Sequence, residues 1–115
     1  MKKSASRGVP TPRKDSTSVL RLKGEIDLYV FPSVTASLDG IIEKKPERLV
    51  VDLSGVTYID SAGFAALIQA MQKVEAYGGK FLLAGLQETV HSIFKNSRRD
   101  QVFQIFPDVD AAMSG

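Results

Sequence analysis

Val50-Val51-Asp52-Leu53-Ser54-Gly55-Val56-Thr57-Tyr58-Ile59-Asp60-Ser61-Ala62-Gly63 is the stretch whose reading decides the fold. Leu49, Val50, Val51 and Leu53 make a nearly continuous apolar run of strand length, the pattern of a strand covered on both faces. Ser54-Gly55 is a turn signal, after which Val56, Tyr58 and Ile59 return the connection to a core. From Phe64 the period changes: Phe64, Leu67, Ile68, Met71 and Val74 recur at helical spacing. Asp60-Ser61 therefore stands where a helix begins, beside backbone N–H groups that the helix itself cannot satisfy. A hydroxyl in that place is either a cap or a site where a phosphate can come and go.

Outward from this stretch the pattern alternates. Val19, Leu20 and Leu22 predict a short strand ending near Gly24, and Pro32 fits the first turn of a helix, where its missing N–H costs nothing. Val34, Leu38, Ile41 and Ile42 give that helix an apolar stripe, which Lys44-Lys45-Pro46 ends. After the helix from Ser61 to about Tyr77, Gly78-Gly79 is a C-terminal stop. Phe81 to Ala84 reads as a strand, Thr89 to Lys95 as a helix, Val102 to Phe106 as a last strand, and Pro107-Asp108 opens a final helix. Strand and helix in strict alternation predict an α/β fold: a mixed, mostly parallel sheet of about four to five strands with about four helices packed on it.

The chain has 115 residues and no cysteine. That length makes one domain able to bury a core unaided, and the lack of thiols excludes disulfides, thiolate catalysis and Cys-ligated zinc. No apolar run reaches the ~20 residues of a membrane span, and no apolar stretch follows Met1-Lys2-Lys3 as a secretory signal requires. A cytoplasmic protein is expected. The net charge of +2 is unevenly placed. Lys2, Lys3, Arg7, Arg13 and Lys14 stand against Asp15 alone in the first seventeen residues. The sequence predicts a flexible basic leader over 1–16, dispensable for folding, and a slightly acidic domain over 17–115. No basic face or aromatic–basic platform within the domain points to direct nucleic-acid binding.

These elements carry a resemblance. Asp52-Leu53 and Asp60-Ser61-Ala62-Gly63, Gly24-Glu25-Ile26-Asp27, Gly78-Gly79-Lys80-Phe81-Leu82-Leu83-Ala84-Gly85-Leu86, and Phe103-Gln104-Ile105-Phe106 occur in register over roughly Ser18 to Ala112. In this the chain resembles the STAS domain of bacterial anti-sigma-factor antagonists. The resemblance implies a single STAS domain. It also implies that the unphosphorylated form binds an anti-sigma factor with a GHKL-type serine kinase fold and so releases a sigma factor. The same partner would phosphorylate Ser61, and a PP2C-type phosphatase would reverse the modification. An extra edge strand commonly precedes the first strand in the family, and here it is expected to be short or missing. A scaffold or accessory subunit of a signalling array or membrane transporter, without a phosphoswitch, is the alternative that the resemblance leaves open.

The residues also weigh against enzyme chemistry. A serine hydrolase needs an oriented base, and His91, the single histidine, sits in a predicted helix away from any Gly-x-Ser-x-Gly elbow. Gly78-Gly79-Lys80 lies between a helix and a strand, the wrong topology for a phosphate-binding loop. Asp27, Asp52 and Asp60 have no spacing known for calcium or magnesium. No catalytic residue, cofactor or metal is expected. Ser61 as a substrate for phosphorylation fits better, with Asp27, Asp60, Ala62, Gly63, Ala65 and Gln69 expected around it as partner contacts. Each has a plain structural reading too: Asp60 or Ser61 as a cap, Asp27 as a turn residue, and Gly63 as a point of tight helix–sheet packing.

Overall fold

The computed structural model describes residues 13–115, with side chains from Ser16 onward. In chain order the elements are β1 (Arg13–Ile26), α1 (Phe31–Ile42), β2 (Pro46–Ile59), α2 (Ser61–Ala76), β3 (Lys80–Ala84), α3 (Glu88–Asn96), a 3-10 turn (Arg99–Gln101), β4 (Gln104–Phe106) and α4 (Val109–Ser114). The sheet has four strands in the order β1-β2-β3-β4, and every pairing is parallel. Most of the predicted leader lies outside the described residues.

Alternation along β2 sorts the core into two layers. Leu49, Val51 and Leu53 face α1, α2 and α3, and join Val34, Leu38, Phe64, Leu67, Val90 and Phe94 in the main cluster. Val50 points the other way, and with Leu82 and Ala84 it is covered by Ala112 of α4. A strand buried on both faces reads as a solid apolar run, and that is why the alternation is invisible in the sequence. Arg48 fastens α4 to the sheet: its guanidinium donates to Met113 O at 2.8 Å and Gly115 O at 2.7 Å.

Two expectations change. The first strand is longer than the apolar residues Val19, Leu20 and Leu22 suggest. It begins at Arg13 and pairs with β2 as far as Ile26↔Ile59. Its first six residues, Arg13 to Ser18, are all polar or charged, as an edge strand can be, so that end lacks an apolar signal. Ser54-Gly55 is also not a turn, because β2 runs unbroken from Pro46 to Ile59. Arg21 pairs with Asp52 and Lys23 with Gly55, so one extra residue bulges from β2 at this point. A second irregularity follows between Gly24↔Val56 and Glu25↔Tyr58.

Asp52 holds the first bulge. It is buried at 4% exposure, and its carboxylate accepts from Ser54 N at 3.0 Å and from Arg21 Nε at 3.2 Å. Burial alone would raise its pKa, but the hydrogen bonds from Ser54 and the Arg21 guanidinium outweigh it and bring the carboxyl below its ordinary 3.8. A depressed carboxyl pKa contributes stability above the unfolded-state value, and that contribution is lost as pH falls through the folded-state value. Unfolding measured by denaturant is therefore expected to show a loss of stability as pH drops below about 3.8 that Asp52→Asn lacks. Parallel pH profiles for the two proteins would refute this role.

Candidate functional site

β3 ends opposite Asp52, at Ala84, but β1 and β2 continue as a two-stranded ribbon to Ile26 and Ile59. The ribbon tip carries the candidate site. Asp60 N donates to Ile26 O at 3.2 Å, tying the start of α2 to the end of β1. Asp60 then adopts the extended conformation of an N-cap (φ −110, ψ −172) and accepts from Gly63 N at 3.0 Å. The next amide, Phe64 N, donates to Asp60 O at 3.0 Å as the first helical bond. Capping thus falls to Asp60 and leaves Ser61 out of it. Ser61 is the first helical residue, is exposed, and has no hydrogen bond to any described side chain. The amides of Ser61 and Ala62 have no acceptor within the helix, so its positive end is open toward solvent.

Asp27 stands across the tip. Its Oδ1 accepts from Tyr29 N at 3.0 Å and from Val30 N at 3.3 Å, the bonding of an aspartate that folds a turn onto itself. Because Ile26 pairs with Ile59, Asp27 and Asp60 are brought together at neighbouring strand ends. Asp52 does not join them. At about 3.3 Å per residue it lies on the order of 20 Å back along β2. Among the described residues no group of three His, Cys, Asp or Glu side chains could hold a metal ion.

Along α2, Ser61, Ala65 and Gln69 recur at i, i+4 and i+8, so they share one stripe that starts at the serine. Gln69 is exposed, while Ala62 and Ala65 are half-buried. Gly63 is off this stripe and buried. A Cβ there would stand 2.5 Å from Ile26 O and 2.6 Å from Ile59 Cγ1. Of its two readings, close approach to the strand ends is the one the geometry displays. Its absence of a side chain is what lets α2 start against the ribbon.

The ribbon tip also bears residues that the sequence reading passed over. Leu28 is 70% exposed and Tyr29 93%, while Tyr58, paired with Glu25, is 46% exposed. A usable signal existed for the first two. Leu28 and Tyr29 belong neither to the strand pattern before them nor to the helical stripe after, so no periodicity places them in a core. His91 is exposed on α3 and lines an open cleft of about 700 Å³ with Leu86, Asp100, Phe103, Ile105, Phe106 and Pro107. Ser61 is not among the residues that line that cleft.

The domain is thus a parallel α/β fold with an exposed hydroxyl at the start of α2, next in sequence to the capping carboxylate of Asp60. The chain belongs to the STAS domain family, whose family model matches residues 9–112. It is 28% identical over 92 residues, 80% of each chain, to an anti-sigma-B factor antagonist of Listeria monocytogenes. It is 25% identical over 101 residues to the anti-sigma-F factor antagonist RsfB of Mycobacterium tuberculosis, covering 88% of this chain and 82% of that one. Its fold matches the crystal structure of an anti-sigma factor antagonist from Mycobacterium paratuberculosis with a TM-score of 0.78, at 25% identity and 97% of both chains. No helix among the described residues is long and apolar enough to cross a membrane.

Proposed function

We propose that this chain is an anti-sigma-factor antagonist switched by phosphorylation of Ser61. Unphosphorylated, it binds an anti-sigma factor with a GHKL-type serine kinase fold and frees the sigma factor. Phosphorylated, it lets go until a PP2C-type phosphatase restores the serine. The domain acts by binding and catalyses nothing itself. The observation that carries this reading is the division of labour at the start of α2: Asp60 caps, and Ser61 is left exposed and unbonded. A structural serine would be expected to do the capping.

The local electrostatics suit a switch that acts on the partner rather than on the fold. A phosphate brings about −1.5 to −2 charges and three strong acceptor oxygens. The helix N-terminus favours the dianion by ~0.3–1 kcal/mol, while Asp60 and Asp27 at the same tip oppose it. The helix survives and the field outside it changes sign of usefulness: a docking surface that accommodated a neutral hydroxyl must now desolvate a dianion.

Incubation with the kinase-fold anti-sigma factor and ATP is expected to place phosphate on Ser61 alone, mapped by mass spectrometry, and on no residue of Ser61→Ala. Ser54 and Thr57, exposed aliphatic hydroxyls of the neighbouring β2, serve as internal controls. Phosphate found mainly on other residues would overturn the assignment.

A further inference from the structure

Among the described residues, Leu28 and Tyr29 have the highest exposure of any large apolar side chains, at 70% and 93%. Their backbone is nevertheless held by hydrogen bonds on both sides. The two hydrogen bonds to Asp27 Oδ1 close the turn from one side, and Phe31 N donates to Leu28 O at 3.4 Å from the other. An aromatic ring projected into water from a fixed turn adds nothing to the core. In a docking surface it supplies a large contact area at low cost in conformational entropy, because the backbone is already ordered. Position decides between these. The turn starts one residue after Ile26, whose carbonyl binds Asp60 N and whose side chain would touch a Cβ on Gly63 at 3.0 Å. Tyr58, also exposed, belongs to the same ribbon.

We propose that Leu28 and Tyr29 are the apolar anchor by which the partner of the Ser61 switch grips this domain, with Asp27 the positioning residue that sets the turn. The inference rests on the functional reading above and adds the partner's chemistry. Three acidic residues belong to the same ribbon tip: Asp27 bonds Tyr29 N, Asp60 is tied to Ile26 O, and Glu25 pairs with Tyr58, so the complementary surface is an apolar slot for an aromatic ring, rimmed by Lys or Arg side chains. Affinity and control are thereby separated. The ring supplies hold, and the serine beside it decides whether that hold can be used.

The test is calorimetric titration against the kinase-fold anti-sigma factor that binds the wild-type chain. Tyr29→Ala is expected to weaken binding ten- to a hundredfold, the range for a central aromatic anchor, with melting close to wild type because the ring is almost fully exposed. Phosphorylation of Ser61 in Tyr29→Ala is expected to show a raised KM with kcat near wild type, since the reacting hydroxyl is untouched. Asp27→Asn keeps the acceptor oxygen and is expected to stay within about threefold of wild type. Asp27→Ala opens the turn and is expected to fall toward Tyr29→Ala. Unchanged affinity of Tyr29→Ala beside a binding wild type would remove the anchor and leave the functional reading standing. An Asp27→Asn as weak as Asp27→Ala would show that charge, not the turn, is what the partner needs. No binding by the wild-type chain to any kinase-fold anti-sigma factor of its own cell would take down the functional reading and the anchor together.

Discussion

Ser61→Asp is expected to lose partner binding by tenfold or more while melting near the wild-type temperature, and Ser61→Ala is expected to keep binding and lose the switch. The two halves of this result have different causes. Stability is insensitive because Ser61 contributes nothing to packing: the hold of α2 on the core comes from Phe64, Ala66, Leu67, Ala70 and Val74, all buried, and its cap is Asp60. A carboxylate in the first turn is tolerated or mildly favoured, by ~0.3–1 kcal/mol. Affinity is sensitive because the docked surface would have to bury an added charge where the unphosphorylated arrangement accommodates a neutral hydroxyl. An imperfectly paired carboxylate costs several kcal/mol, and about 1.4 kcal/mol already means tenfold. Aspartate carries less charge than phosphoserine, so the enzymatically phosphorylated protein should bind more weakly still. Calorimetry against the anti-sigma factor, with a non-hydrolysable nucleotide present, measures all four forms. Equal affinities across wild type, Ser61→Asp and phosphoprotein would remove the switch and favour a scaffold role.

What could be read without coordinates follows from how each signal arises. The helices were legible because Val34, Leu38 and Ile42, or Phe64, Leu67 and Val74, must all reach one core and therefore repeat at the helical period. The stop at Gly78-Gly79 was legible for a local reason: Gly78 adopts φ +90, and Gly79 N and Gly78 N donate back to Val74 O and Glu75 O at 3.0 Å each. The outer half of β1 and the bulge at Ser54 were not legible. Both are set by pairing with another strand, and a polar residue on an edge strand looks like one in a loop. Asp60 and Ser61 could be found together, but which of them caps depends on backbone angles, so only the structure separates the structural residue from the exposed one. Burial of Gly63 is likewise a tertiary fact. Its neighbours are Ile26 and Ile59, and neither is adjacent in sequence.

That burial makes Gly63→Ala and Gly40→Ala an informative pair, expected to move stability in opposite directions. Both glycines are helical, so each gains from alanine's better helix propensity, by up to ~1 kcal/mol in a helix interior. At Gly40, exposed on α1, a Cβ meets nothing within 4 Å, so that gain is realised and the domain should become more stable by about 0.5–1 kcal/mol. At Gly63, in the first turn of α2, the gain is smaller and the obstacle is large. The Cβ would lie 2.5 Å from Ile26 O, 2.6 Å from Ile59 Cγ1 and 3.0 Å from Ile26 Cγ2. The nearest of these is a backbone carbonyl already engaged with Asp60 N, so it cannot swing aside as a side-chain tip can. Relief requires α2 to back away from the ribbon, which weakens the Asp60 N–Ile26 O bond and opens the layer under Phe64. Overpacking of this kind costs about 1–3 kcal/mol or more. For a domain near 100 residues, about 4–8 °C of melting temperature accompanies each kcal/mol. Denaturant unfolding should therefore place Gly63→Ala well below wild type and Gly40→Ala slightly above it. The displaced helix also carries Ser61 away from Asp27, so Gly63→Ala should be a poorer kinase substrate even at temperatures where it is fully folded. A Gly63→Ala protein as stable as wild type and phosphorylated at the same rate would show that the helix start does not depend on this contact.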